Sequence, residues 1–315
     1  MRIVITGGTG LIGRALIDTL ADDHHEVIVL SRNPDKHTSL LRDSVKLIRW
    51  DAKSISGWVE YIDGCNAVIN LAGENIAGYN FFDLLTKRLD DPQKEKIRQS
   101  RLNTGKALVE AIELAKVKPS VLVQASAVGY YGDRKNEELT EESLPGSDFF
   151  AYICQEWESS TIEVEKLGVR RVIIRTAGVV LSTHGGSLPF MSLPFKLYVG
   201  GPIGNGQQWF SWIHITDEVN AIKYLIDSIT ASGPYNLAAP ELVSNRDFSI
   251  TLGKTMDRPS AIPLPIFALK IIFGQKSDIL FASQRQMPER LLKSGYKFLY
   301  PNLSQALQDV YLNKR

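Results

Sequence analysis

Ile3-Val4-Ile5-Thr6-Gly7-Gly8-Thr9-Gly10-Leu11-Ile12-Gly13 stands at the start of the chain, directly before an amphipathic segment from Arg14 to Leu20. An apolar run, a cluster of glycines and a helix-like stripe in this order read as a strand, a tight turn and a helix start. Such a turn is a seat for the pyrophosphate of a dinucleotide. Gly7 permits the tight turn, Gly10 lets backbone approach phosphate, and Gly13 lets the helix pack against the strand. Leu11 and Ile12 open the helix, whose free N–H groups and dipole favour an anion.

Composition narrows the class of partner. The 315 residues carry 36 Lys and Arg against 35 Asp and Glu, a balance that offers no bulk field for nucleic acid or a membrane surface. Cys65 and Cys154 cannot build a disulfide framework and have no metal-ligand spacing, so they read as buried thiols in a reducing compartment. With a core strand at the N-terminus there is no room for a signal peptide. The most apolar late stretch, 261–273, holds Pro263, Pro265 and Lys270 and is too short to span a bilayer. A cytoplasmic protein with a small-molecule substrate and no metal is the expectation.

Outward from the glycines, apolar runs alternate with amphipathic stretches, the pattern of a parallel sheet with helices on both faces. Strands are expected at 26–30, 45–50, 67–71, 121–125 and 172–175. Helices are expected at about 95–115, with Ile97, Leu102, Leu108 and Ile112 as its stripe, and at 149–167, stopped by Gly168. Asp217 starts a third. Residues 1–182 with 213–240 make one domain. The glycine- and aromatic-rich 183–212, with the proline-punctuated 241–315, make a substrate-side insertion and C-terminal lobe.

Chemistry at the end of the second strand separates two cofactors. An acid there would hold a ribose 2′-hydroxyl, whereas this chain has Ser31-Arg32-Asn33. A guanidinium suits a 2′-phosphate, so NADP(H) is favoured over NAD(H); an Arg32 that merely points to solvent is the alternative. Asp51 is placed to meet the adenine edge, or serves its own turn. Leu71, Ala72 and Gly73 end the fourth strand with small residues beside the cofactor. No Gly-Lys-Ser/Thr follows the glycines, which excludes a nucleotide-triphosphate loop. Arg32 also argues against a methyltransferase, which more often needs an acid at that place.

By the order of its motifs the chain resembles the extended and atypical branches of the short-chain dehydrogenase/reductase superfamily. It is most similar to the atypical family labelled NAD-dependent or sugar-nucleotide epimerase, with a small C-terminal domain of unknown function. The matching stretches are Gly7–Gly13, 70–74 (Asn-Leu-Ala-Gly-Glu), 126–132 (Ser-Ala-Val-Gly-Tyr-Tyr-Gly), 206–214, 234–240 and the region around Gln284-Arg285 and 288–292. The resemblance implies a Rossmann-type doubly wound parallel sheet, α/β in class, with a smaller, mainly helical C-terminal substrate lobe. It implies NADP(H) on the Rossmann-type domain and a substrate cleft against the C-terminal lobe. Helices near 95–115 and 149–167 pair protomers in many superfamily members, so a homodimer is implied.

Catalytic members use a Ser or Thr after the fifth strand and Tyr-x-x-x-Lys on the next helix. Here Tyr152 is followed by Glu156 where the Lys belongs. A carboxylate there opposes ionisation of a neighbouring phenol, the wrong direction for a base. Ser126 and Tyr152 are the catalytic candidates on this reading. Glu74 or Tyr130 could instead move the proton, or Tyr152 could be a helix residue with no catalytic part. Phe210 stands where nucleotide-sugar enzymes carry a diphosphate-binding Arg. With Trp209 and Trp212 it suggests an apolar substrate face, unless these rings are core. Arg246, Arg285 and Arg290 could supply anion binding. His214 is an acid/base by chemistry, but on a strand a hydrogen-bonded structural His is the favoured reading. An oxidoreductase or epimerase acting on a small carbonyl or alcohol is therefore expected; the alternative is a dinucleotide-binding sensor or scaffold that has lost its chemistry.

Overall fold

The computed structural model describes residues 1–40, 42–76, 86 and 88–312. Seven parallel strands form its centre: β1 (Arg2–Thr6), β2 (Glu26–Ser31), β3 (Val45–Arg49), β4 (Ala67–Asn70), β5 (Val121–Ala127), β6 (Arg170–Thr176) and β7 (Gly233–Leu237). Their spatial order is β7-β6-β5-β4-β1-β2-β3. The order reverses beside β1, and such a switch point opens a crevice at the carboxyl ends of the strands.

Strand periodicity divides the core into two layers. Ile3, Ile5, Val27 and Val29 face Leu16, Ile17 and Leu20 of α1 (Leu11–Asp22). The same layer takes Val219, Ile222, Leu225 and Ile226 from a later helix, Ile215–Asp227. The alternate residues Val4, Ile28 and Leu30 face Ala107, Leu108, Ala111 and Ile112 of α2 (Asp91–Leu114). A sheet covered on both faces needs apolar side chains of both parities, and β1 and β2 supply them.

Four expectations are altered. No strand was expected over 233–237; β7 is an edge strand, where the N–H that Pro234 lacks costs no ladder bond. The helix expected over 149–167 is α3 (Phe149–Ser159), followed by a separate 3-10 turn, Ile162–Leu167, which Gly168 ends with φ +77°. The buried stripe of α2 runs through Arg101 rather than Leu102. Asp90 caps α2 by accepting from the Gln93 N–H, so the helix starts four residues before the apolar pattern suggests.

After β7 the chain turns helical. Beyond the helix Ile215–Asp227, designated α4, come α5 (Asn245–Met256), α6 (Ile266–Phe273) and α7 (Leu303–Leu312). Ser244 and Asp247 form a reciprocal capping box at the start of α5. Phe248 and Leu252 of α5 pack with Leu303 and Leu307 of α7 in a satellite core. Cys65 and Cys154 are both buried free thiols, and burial pushes them up to about 12 and about 11. Among the described residues no helix is long and apolar enough to cross a membrane. Nor, among them, do three or more His, Cys, Asp or Glu gather as metal ligands.

Candidate active site

A cavity of about 890 Å³ opens at the carboxyl ends of the central strands. Gly7, Gly10, Leu11, Ile12 and Gly13 line one end. Ser126, Trp157 and Thr176 to Gly178 line the middle, and Phe195, Phe248, Leu264 and Phe273 the far wall.

The glycine turn is built by close approach. Gly7 has φ +70°, and a Cβ on it would lie 2.5 Å from the carbonyl carbon of Leu71. A Cβ on Gly13 would lie 2.5 Å from the Gly7 oxygen, so α1 can start this near to β1 only without a side chain there. Gly10 differs: its φ of −79° is ordinary, and a Cβ would meet only the Gly7 oxygen, at 3.4 Å. The protein leaves that space open. No side chain caps the start of α1 and no acid lies in its first turn, so the positive end of the helix dipole is free for an outside anion. A polar ladder aligns the three strand ends behind the turn. Thr6 Oγ1 donates to Asn70 at 2.7 Å, and Asn70 Nδ2 donates to Gln124 at 2.9 Å.

Arg32 lies two residues beyond Leu30, the register partner of Thr6, and so stands beside the glycine turn. Its side chain is 60% exposed, and Nη2 is 4.0 Å from Glu74 Oε2. Glu74 is buried and accepts from Lys96 at 2.9 Å. Leu71 lines the cavity, while Ala72 and Gly73 continue past its wall. Asp51 is exposed; its Oδ1 accepts the Lys53 and Ser54 N–H groups, both at 2.8 Å, which holds its carboxyl below the usual range. It serves its own turn and does not line the cavity.

The two catalytic candidates part company. Ser126 lines the cavity and donates to Glu158 at 2.7 Å. Glu158 is clamped by Arg175 through Nε at 2.9 Å and Nη2 at 3.0 Å. Arg175 also reaches the Tyr131 hydroxyl at 3.1 Å and lies over the Tyr130 ring, 3.5 Å from its centroid. Tyr152 does not join them. It is 54% exposed and donates to Glu156 at 3.2 Å, and Arg98 grips Glu156 with two bonds of 2.6 Å. Ile153, Cys154, Trp157 and Glu158 make the buried face of α3, which turns Tyr152 outward.

Other expectations on side chains are corrected by packing. Trp212 is 1% exposed and donates to the Glu241 carbonyl, Phe210 packs on Phe248, and Trp209 bonds Asn136. These rings are taken up by those partners; the phenylalanines of the cavity wall are Phe190, Phe195, Phe248 and Phe273. Arg246 donates to the Asn205 carbonyl, Arg290 to the Pro234 and Ser232 carbonyls, and Arg285 lies over Trp209. None of the three lines the cavity. His214 is buried, with Nδ1 accepting the Thr216 N–H as the cap of α4 and Nε2 3.3 Å from Asp309. Burial pulls its pKa down to about 4, so it is a neutral structural group.

Sequence reading missed Arg101, Trp157 and Thr176, all on the cavity wall. Arg101 had a legible signal: it lies four residues after Ile97 and seven before Leu108, on the apolar face of α2. Thr176 Oγ1 donates to Glu218 at 2.7 Å, and full burial pushes that carboxyl up to about 8.

The model of the NAD dependent epimerase/dehydratase family matches residues 3–238. The chain belongs to that family. A second model, a domain of unknown function (DUF1731), matches residues 264–310, the C-terminal region of this epimerase/dehydratase family member. An epimerase family protein of Staphylococcus aureus (strain N315) is 37% identical over 313 residues, covering 98% of each chain. The chloroplastic SDR39U1 homolog of Arabidopsis thaliana is 35% identical, over 98% of this chain and 86% of that one. The human epimerase family protein SDR39U1 (isoform 2), solved with NADPH, superposes with a TM-score of 0.87 at 33% identity and full coverage of both chains.

Proposed function

We propose that the chain is an NADP(H)-dependent oxidoreductase acting on a predominantly apolar carbonyl or alcohol compound. One observation carries the reading: the cavity runs without interruption from an uncapped helix start and its glycine turn to an apolar wall in the C-terminal lobe. Gly7, Gly10, Leu11, Ile12 and Gly13 would hold the pyrophosphate, and Leu71, Ala72 and Gly73 would pass beside it. Arg32 would meet the 2′-phosphate, a role supported by its exposure beside the turn and by the NADPH bound in the human relative. The cofactor supplies hydride chemistry when bound.

The chain's own residues do the rest. The lining around Ser126 and Thr176 to Gly178, continued by Phe195 and Phe248, would place a reacting centre against a largely apolar wall. The hydroxyl hydrogen of Ser126 is committed to Glu158, so toward a bound alcohol Ser126 Oγ acts as acceptor. A proton taken up there has a route to Glu158 Oε1 at 2.7 Å, where Arg175 holds the carboxylate in place. This pair takes the place of a Tyr-Lys pair, and Tyr152 has no part in it.

A second reading, a nucleotide-binding sensor without turnover, is favoured by one fact, the outward position of Tyr152. The two are separated by following NADPH absorbance with a panel of medium-chain aldehydes and ketones. Turnover that Ser126→Ala slows by about 10²-fold supports the oxidoreductase. Tight NADPH binding with no oxidation by any of the panel supports the sensor.

A further inference from the structure

Arg101 is a buried cation with no counter-ion among the described residues. It is 8% exposed and lines the cavity beside Trp157 and Ser126. Its guanidinium lies over the Trp157 ring, 4.6 Å from the centroid. Gly73 abuts it as well, where a Cβ would sit 3.1 Å from Arg101 Cζ. Nη1 donates to two carbonyls, Glu74 O at 3.2 Å and Ile97 O at 3.0 Å. The group is therefore fixed in orientation. Among the described residues, Nε and Nη2 find no acceptor and no carboxylate comes within ion-pair distance.

Three carboxylates of the described residues around this part of the fold are otherwise engaged. Glu74 pairs with Lys96, Glu156 with Arg98, and Glu158 with Arg175. Burial lowers the Arg101 pKa, and Cys154 and then Glu74 oppose that shift through space. Holding a guanidinium out of water without an anion is costly, and the cost is recovered when a ligand supplies one. Lys276 and His184 also line the cavity, but much of the remaining wall suits an apolar body: Leu71, Ile76, Phe190, Met191, Phe195 and Leu269. An ion pair formed among such residues is weakly screened.

We propose that Arg101 is the counter-ion for a carboxylate on the substrate, so that the cavity takes an apolar carboxylic acid. The assignment deepens the oxidoreductase reading and rests on it for the identity of the ligand as substrate. Arg101 is a specificity-determining residue on this account: its forked donors discriminate an acid from the corresponding alcohol or ester of equal chain length.

The same guanidinium could instead meet an oxygen of the cofactor diphosphate, and the test separates the two anions. The NADPH-saturated protein is titrated by calorimetry with octanoate and with octan-1-ol, and NADPH affinity is measured separately. Octanoate is expected to bind wild type about tenfold more tightly than octan-1-ol. Arg101→Gln should erase that preference while leaving octan-1-ol and NADPH affinities within about twofold. Arg101→Lys, which keeps the charge but loses the fork, should retain part of the preference and covers the case in which Arg101→Gln fails to fold. Equal binding of the two probes to wild type overturns the proposal. So does an octanoate preference that survives in Arg101→Gln, or a loss confined to NADPH. Should NADPH itself not bind wild type, the octanoate and octan-1-ol titrations on the cofactor-free protein still decide the role of Arg101, and only the oxidoreductase reading falls.

Discussion

Ser126 donates its hydroxyl hydrogen to Glu158 at 2.7 Å, which makes a cavity-lining serine the outermost member of a buried, charge-balanced chain. Glu158 accepts from Ser126 and from Arg175 on the same oxygen, Oε1. Ser126→Ala should therefore cost about 1–2 kcal/mol of stability, since the carboxylate keeps its two guanidinium bonds. Glu158→Ala should cost about 3–5 kcal/mol by stranding the buried Arg175. Urea midpoints of the two variants measure the difference; a Ser126→Ala loss as large as that of Glu158→Ala would contradict the chain as described.

Tyr152→Phe should leave NADPH affinity and turnover within about twofold of wild type, because the phenol is half exposed and bonded to Glu156. Steady-state kinetics on any substrate found by the carbonyl panel check this. A loss of turnover by a hundredfold would return Tyr152 to the active site.

Gly7→Ala should destabilise by several kcal/mol, combining a Cβ 2.5 Å from the Leu71 carbonyl carbon with a φ of +70° that L side chains rarely adopt. Thermal unfolding shows it as a fall in midpoint even without nucleotide.

The glycine turn was legible in the sequence because its determinants are local: an apolar run, spaced glycines, an amphipathic start. The closeness of Gly7 to Leu71 was half legible, since small residues end β4, but the contact spans two strands. For Tyr152 the sequence left two places open. The Tyr-x-x-x-Lys pattern gives a residue's register along α3 but not the face it occupies, and Ile153, Cys154 and Trp157 pack inward and leave Tyr152 exposed. For Trp209, Phe210 and Trp212 the sequence left a substrate face and core packing both open, because their partners Asn136, Phe248 and Glu241 come from distant parts of the chain. Arg101 was passed over because the apolar stripe was drawn through its neighbour Leu102, although 101 rather than 102 keeps the helical spacing to Ile97 and Leu108.

Glu218 sets a pH dependence of known sign. Its carboxyl titrates at about 8 in the folded chain against an ordinary 4.5, so the folded state binds the proton more tightly. Stability from this group is full below about pH 4.5 and is lost as pH rises toward 8. His214, drawn down to about 4 from 6.5, acts in the opposite sense, its contribution lost as pH falls through that window. Glu218→Gln should remove a decline on the order of a few kcal/mol between pH 5 and 8 while leaving the acid-side loss in place. Urea midpoints across that range are the measurement; an unchanged slope in the variant would place the titration elsewhere.

The central claim is a 2′-phosphorylated dinucleotide seated on the glycine turn, and calorimetric titration of NADPH and NADH into wild type, Arg32→Ala and Gly10→Val tests it most directly. Gly10→Val is compatible with the fold, because a Cβ there meets only the Gly7 oxygen at 3.4 Å, yet its side chain fills the space left for phosphate. NADPH should bind wild type at least about tenfold more tightly than NADH, Arg32→Ala should erase that preference, and Gly10→Val should abolish binding of both. Binding of neither nucleotide to wild type, or unchanged NADPH affinity in Gly10→Val, would contradict the account.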